Sequence, residues 1–427
     1  MTDLNVQHPL LHIMKQLKFT VSSRLILAAF TSLLLAGVHA RTWTSADGAK
    51  TFEGELKTYD PATGIVNVTL SNGKLMKFSQ NVLSPSDIAF LEKQGKLEAP
   101  AAGKPAMGKP SAGKIDADPK NLFKTHDGKP ADMSKPVQVF ILLGQSNMVG
   151  AGKIAALDVP VKQNKKYPYL LDEAGNWVVR KDVRNVRVMC SGAGPWKMYN
   201  NEWMTISGKT MGPEFGIGHP LGNALDAPVM ILKSCIGNRA LSWDLLPPGA
   251  EGYAGNIDPP RKPKTDVKDW YAGVQYDGDV RAALDVLADL KTYYPDATKY
   301  EVAGFFFWQG EKDCGNADWA AKYEVNLVQF IKALRKDFES PNAKFVLATL
   351  GEATKGTGGN AGKVLDAHFA VDGTSGKYPE FKGNVATVYA NPLSMGGSGN
   401  GHYNGNPETY MNVGEAMGKA MVELLKQ

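Results

Sequence analysis

The chain has 427 residues, 43% of them apolar and 21% charged, with a formal net charge of +5. That length exceeds one average core, so two or more folded units are expected, with the composition of a soluble globular protein. The charge surplus is mild and gathered near the N-terminus and in one lysine-bearing stretch, which argues against a nucleic-acid face, and no H-E-x-x-H or paired C-x-x-C spacing offers a metal site.

Residues 1–40 read as a signal peptide. Lys15, Lys18 and Arg24 form a basic region, Leu25 to Gly37 is mainly apolar, and Val38-His39-Ala40 places small residues at cleavage spacing before Arg41. Met14 makes a more ordinary start than Met1. The apolar run is short for a membrane span. The expectation is therefore an exported protein, periplasmic or extracellular, with no membrane span after cleavage; the alternative is a buried core helix.

Residues 41–95 predict a small β-rich unit. Trp43, Thr51-Phe52, Ile65 to Leu70 and Leu75 to Phe78 are short strand patterns, and Asp47-Gly48, Ala62-Thr63-Gly64 and Asn72-Gly73 are turns between them. Ser84-Pro85-Ser86-Asp87 opens a helix. The pattern R-x-W with D-G-x-x-x-F and L-S-x-x-D resembles the SH3-like domain first described in an actin adaptor of endocytosis. That resemblance implies a five-strand barrel serving as a binding or anchoring module for a glycan, an envelope component or a protein, or else as a spacer. Residues 96–117, rich in Ala, Gly, Pro and Lys, form a linker that cannot bury a core.

From 118 to 427 strand and helix patterns alternate. Val137 to Leu143 is a short apolar run ending at Gly144, which reads as a buried parallel strand. Ser146 follows it, either as a nucleophile or as the cap of the next turn. Tyr169 to Cys190 reads as a hairpin insertion turning at Glu173 to Asn176. Further strands are expected at Val229 to Ser234, Val302 to Trp308, Phe345 to Leu350 and Val385 to Tyr389. Helices are expected at Pro213 to Leu225, Tyr276 to Tyr293, 317–338, and Pro407 to Leu425, with a looser segment between the last two strands. Five parallel strands with crossover helices make a doubly wound sheet. Cys190, Cys235 and Cys314 are an odd set, read as three thiols with room for one disulfide at most.

The loops past these strands hold Ser146, then Cys235 to Leu241, then Gln309 to Asp313, then the glycine-rich stretch Met395 to Asn406 with His402. All lie on the carboxyl edge of the predicted sheet, and together they contain the parts that acyl transfer requires. Of the histidines after residue 118, His219 and His368 fall in helical patterns and His126 precedes the sheet, leaving His402 as the best-placed base. Each part has a plainer reading: Gly237 as a turn, Gln309 as a buried amide, Trp308 and Trp243 as packing.

The blocks GQSNM at 144–148, GNRALSWD at 237–244, WQGEKD at 308–313 and GHYNG at 401–405 resemble, in order, those of the sialate O-acetylesterase-like carbohydrate esterases of the SGNH hydrolase superfamily. The resemblance implies a flavodoxin-like three-layer α/β/α sandwich and removal of O-acetyl groups from sugars without a metal or organic cofactor. It implies Ser146 as nucleophile, His402 as general base, and an oxyanion hole of the Ser146 N–H, the Gly237 N–H and the Gln309 amide. Many SGNH enzymes carry an aspartate three residues before the histidine, where this chain has Gly399. Glu311 is therefore the expected carboxylate partner of His402, with Asp313 as runner-up. Arg239, Trp243, Asp244 and Asp313 are candidates for sugar contact. Two alternatives remain: a non-catalytic glycan-binding protein on the same fold, and a lipase-like SGNH esterase.

Overall fold

The computed structural model describes residues 41–46, 48–60, 65–70, 74–97, 115–192, 194–255 and 270–427. The expected signal peptide and most of the expected linker lie outside the described residues. The chain divides into two compact units, Met1–Ala99 and Pro100–Gln427.

In the first unit, β1 (Arg41–Thr44), β2 (Thr51–Asp60), β3 (Ile65–Leu70) and β4 (Leu75–Ser79) form an antiparallel sheet in chain order, followed by α1 (Pro85–Leu97). A five-strand barrel was expected; the described sheet has four strands. After β4 the chain coils into a short 3₁₀ turn and meets β1's end only through a Ser45–Leu83 bridge, so it adds no further strand. Trp43 is fully buried against Leu56, Val66, Val68 and Leu91, and its indole N–H donates to the Gly54 carbonyl at 3.0 Å. Asp87, in the first turn of α1, accepts from the Thr44 N–H at 2.8 Å and from the Arg41 guanidinium.

The second unit runs α2 (Pro119–Leu122), β5 (Val137–Gly144), α3 (Ser146–Val149), β6 (Gly152–Lys153), β7 (Arg180–Met189), β8 (Lys197–Met204), β9 (Thr210–Met211), α4 (Glu214–Ala224), β10 (Val229–Ser234), α5 (Val274–Ala288), α6 (Leu290–Tyr293), β11 (Tyr300–Trp308), α7 (Glu311–Cys314), α8 (Ala317–Asp337), β12 (Lys344–Ala348), α9 (Gly359–Ala370), β13 (Val385–Val388) and α10 (Pro407–Leu425). The main sheet has the order β13-β12-β11-β5-β10-β7-β8. All its pairings are parallel except β7 with β8.

The sheet thus has six parallel strands and an antiparallel edge, not five. The additional strand is β7, which had read as part of a hairpin insertion. Its charged residues disguised it. Val183, Val186 and Val188 are buried, while Arg180 is also fully buried because its guanidinium donates to Asp182 and to the His219 carbonyl. A paired arginine can occupy a core position that an unpaired one cannot. The Asp172–Asn176 turn does form, closed by a Leu171–Trp177 bridge, just ahead of β7. The looser segment contains α9, whose pattern is obscured by Gly358, Gly359 and Gly362. The helix expected at Tyr276 to Tyr293 breaks at Asp289 into α5 and α6.

Alternate residues of β5 feed two cores. Val137, Val139, Ile141 and Leu143 pack with α5, α8 and α9; Phe140 and Leu142 pack with α4 and α10. These are the outer layers of an α/β/α arrangement. From β5 the chain first builds toward β7 and β10, then crosses to build toward β11, β12 and β13. The reversal at β5 leaves a crevice beyond the carboxyl ends of β10, β5 and β11, where open sheets of this kind bind ligands.

Candidate active site

Gly144 ends β5 with φ of 143°, and a Cβ there would overlap the Trp308 carbonyl of β11. The glycine lets the chain bend away at once, and Ser146 becomes the first residue of α3. The turn rests on a buried ion pair. Lys233 Nζ donates to the Val149 carbonyl at 3.0 Å and to Glu214 Oε2 at 2.5 Å, and Glu214 accepts the Gly212 N–H at 3.0 Å. Ser146 is part-exposed above this support and lines a cleft of about 660 Å³ with Gln145, Gly237, Asn238, Glu311, Lys312, Gly315, Asn316, Trp319, Asn400 and His402.

Gly237 lies against the serine: a Cβ there would stand 3.3 Å from Ser146 Cβ. Among the described residues, no backbone hydrogen bond uses the Ser146 or Gly237 N–H, so two donors remain for a ligand at this wall.

His402 arrives on a different kind of turn. His402, Tyr403 and Asn404 have φ of 52°, 53° and 54°, three successive left-handed residues, none of them glycine. Each costs roughly 1–2 kcal/mol relative to ordinary backbone. Tyr403 offsets part of this by burying its ring 6.0 Å from Trp308 and 6.0 Å from Tyr410. The His402 N–H donates to the Gly399 carbonyl at 3.0 Å, and the Tyr403 N–H to the Ser398 carbonyl at 2.9 Å. His402 lines the cleft; His219 and His368 are buried, the latter held by the Tyr323 hydroxyl at 3.0 Å with its pKa pushed down to about 3 by burial.

Glu311, the first residue of α7, forms the floor between these turns. Its carboxylate accepts from Asn147 Nδ2 at 2.6 Å and from Gln145 Nε2, the two residues flanking the serine. Burial, then the nearby Glu352 charge, pushes its pKa up to about 7, against the pull of these donors. Glu352, just past β12, accepts the Gly399 N–H at 2.9 Å.

The other expected site residues are placed elsewhere. Gln309 is fully buried: its amide donates to the Arg239 carbonyl at 2.9 Å and to Asp313 Oδ2 at 2.6 Å, while its oxygen accepts from Tyr323 at 2.8 Å. Both ends are engaged beneath the cleft, so it is not an oxyanion donor in this arrangement. Asp313 is also fully buried, accepting the Leu241 and Ser242 N–H groups at 2.8 and 2.9 Å. It braces the loop and reaches neither sugar nor His402. Asp244 does similar work, accepting the Ala240 N–H at 2.8 Å and the Trp270 indole N–H at 2.9 Å. Arg239 turns back onto Gln275 Oε1 at 3.1 Å and stacks over Trp270. Trp243 is exposed but does not line the cleft.

Three contributors escaped the sequence reading: Gln145, Asn147 and Glu352. The first two flank Ser146 within the same block, so their nearness was legible; Glu352 has no local cue. The three cysteines are free thiols, and among the described residues no group of three or more His, Cys, Asp or Glu is placed to hold a metal.

No curated protein matches the chain significantly. Solved structures similar to it include a protein from Arabidopsis thaliana, 20% identical, with 67% of this chain and 98% of that one covered at a TM-score of 0.40. A carbohydrate acetylesterase from Xanthomonas citri is 15% identical, with 66% and 54% covered at 0.42, and NanS is 15% identical, with 61% and 78% covered at 0.35. Residues 266–423, which carry Glu311, Glu352 and His402 but neither Ser146 nor Gly237, match the family model described as carbohydrate esterase, sialic acid-specific acetylesterase, a match that supports ester hydrolysis on a carbohydrate.

Proposed function

We propose that this chain is an exported carbohydrate O-acetylesterase that works through a covalent acetyl-serine. The observation that carries the reading is the convergence of Ser146, Gly237, Glu311 and His402, from the ends of four separate strands, on one cleft at the sheet's reversal point. Ser146 Oγ attacks the acetyl carbonyl carbon while His402 takes its proton. The oxyanion forms against the Ser146 and Gly237 N–H groups, with Asn238 the side-chain amide on that wall in place of Gln309. Collapse of the tetrahedral intermediate breaks the bond to the sugar oxygen, which leaves with the proton from His402. Water, deprotonated by His402, then attacks the acetyl-serine and releases acetate.

Glu311 lines the same cleft as His402 and, when ionised, would support the imidazolium, the role for which Asp313 is too deeply engaged. Trp319 and Asn316 form the polar and aromatic wall available to a sugar ring. The N-terminal unit, too small for such a site, fits a binding or spacer module. Export rests on residues 14–40, and N-terminal sequencing of the secreted protein should begin at or near Arg41.

The decisive experiment uses the full chain with an aryl acetate, the matching aryl octanoate, and acetylated xylan, pectin and sialic acid. Acetate release from at least one glycan, with the octanoate poorly cleaved, is the expected outcome. Octanoate preference would favour a lipase-like enzyme; glycan binding without hydrolysis of any ester would favour a lectin-like role.

A further inference from the structure

The backbone of Gly399 joins both halves of the site. Its N–H donates to Glu352 Oε2 at 2.9 Å. Its carbonyl accepts the His402 N–H at 3.0 Å and Asn147 Nδ2 at 3.2 Å. Asn147 in turn holds Glu311 Oε1 at 2.6 Å and adjoins Ser146 in sequence. One buried residue therefore ties the histidine turn to the serine turn, and the charged group on its donor side is Glu352.

Space is equally telling. A Cβ at position 399 would overlap Glu352 Oε2 and stand 2.8 Å from the Tyr403 hydroxyl and 3.0 Å from Glu311 Oε1. The volume that a side chain three residues before His402 would enter is already filled by a carboxylate delivered from a different strand end. Glycine at 399 and glutamate at 352 are two aspects of one arrangement: a larger residue at 399 would expel the Glu352 carboxylate.

We propose that Glu352 is a positioning residue for the esterase reaction, a carboxylate supplied from the loop after β12 that holds the strained His402 turn through Gly399 and stands where a side chain at 399 would otherwise lie. This rests on the esterase reading of the same site. Glu352 acts through the Gly399 N–H: an anionic acceptor makes a stronger hydrogen bond than a neutral one, and it restrains a backbone that three left-handed residues would otherwise relax. Its charge also adds to the negative potential around Glu311.

The test compares wild type with Glu352→Ala, Glu352→Gln, Gly399→Asp and the double variant Glu352→Ala/Gly399→Asp. Two readouts are used: steady-state kinetics on an aryl acetate, and amide hydrogen exchange over residues 395–406. Glu352→Ala should lower kcat about 10- to 100-fold with KM within about twofold, and speed exchange at Gly399 and His402 at least about tenfold. Glu352→Gln, which keeps a neutral acceptor, should fall between. Gly399→Asp alone should be at least as damaging as Glu352→Ala, because the two side chains compete for one volume. The double variant, with that volume vacated, should regain at least about tenfold in kcat over Glu352→Ala. Wild-type kinetics and exchange in Glu352→Ala would overturn the proposal. So would a fully active Gly399→Asp, or a folded double variant no better than Glu352→Ala. If wild type hydrolyses no ester, the esterase reading fails by itself, and the exchange readout still decides whether Glu352 holds the turn.

Discussion

The serine turn and the histidine turn face the same cleft but are held in opposite ways. Ser146 stands on one regular helical turn at the end of a fully buried strand, supported from below by the Lys233–Glu214 pair. His402 stands on three left-handed residues in a glycine-rich loop, anchored by the Tyr403 ring and by hydrogen bonds through the Gly399 backbone. The nucleophile is fixed by the core; the base is fixed by strain balanced against a few specific contacts. A nucleophile must meet its carbonyl at one angle, and burial enforces that. A base that receives and returns protons to two partners can be held on a turn with more freedom to adjust. That contrast predicts where each turn should fail.

The largest effect tests whether the two turns serve one reaction. Ser146→Ala and His402→Ala should each lower kcat on an acetate ester by at least about a thousandfold, and the double variant should be little worse than either. Multiplicative losses would show that the turns act independently.

The next change attacks the support of the serine turn. Lys233→Met removes the cation from a buried pair and leaves Glu214 without its partner charge. Chemical denaturation should show a loss of about 3–5 kcal/mol in the second unit. A loss below about 1 kcal/mol would mean that the serine turn does not rest on this pair.

A pH series examines the floor between the turns. The folded-state pKa of Glu311 is raised from 4.5 to about 7. The folded form therefore holds a proton that the unfolded chain releases near 4.5, so the contribution of Glu311 to stability is complete below that pH and is lost as pH rises through about 7. Glu311→Gln removes this titration. The Tm difference, variant minus wild type, should grow from pH 4.5 to about 7.5 and then level off. A flat difference would place the Glu311 pKa in its ordinary range.

The smallest effect concerns strain in the histidine turn. Asn404→Gly relieves one left-handed residue but gives up the Asn404 Nδ2 hydrogen bond to the Gly396 carbonyl. The two nearly cancel, and stability should change by less than about 1 kcal/mol. A loss of several kcal/mol would show that side-chain contacts, not backbone relaxation, dominate this turn.

Much of the architecture was legible because parallel strands buried on both faces must be almost wholly apolar, and Val137 to Leu143, Val302 to Trp308 and Val229 to Leu232 are. The helix expected from near Pro407 to Leu425 forms over Pro407–Leu425, because proline at its first position marks the start and an apolar stripe along its length marks the buried face. The strand β7 was hidden because its buried arginine is acceptable only with Asp182 and the His219 carbonyl beside it, and that partnership is a tertiary fact.

The site divides along the same line. Local order along the chain was enough to bring Ser146, Gly237, Glu311 and His402 to one edge, since the first three closely follow strands, His402 lies in the long loop after β13, and all these strands run the same way. Where a side chain points once there is another matter. Gln309, Asp313 and Asp244 occupy the expected loops yet face inward, because the loop N–H groups and the Tyr323 hydroxyl needed buried partners and these were within reach. Glu352 carries no mark in the sequence that connects it with His402. It reaches the Gly399 N–H only because β12 ends beside β11 and glycine at 399 leaves the room, and that coincidence of space and hydrogen bonding exists only in the folded chain.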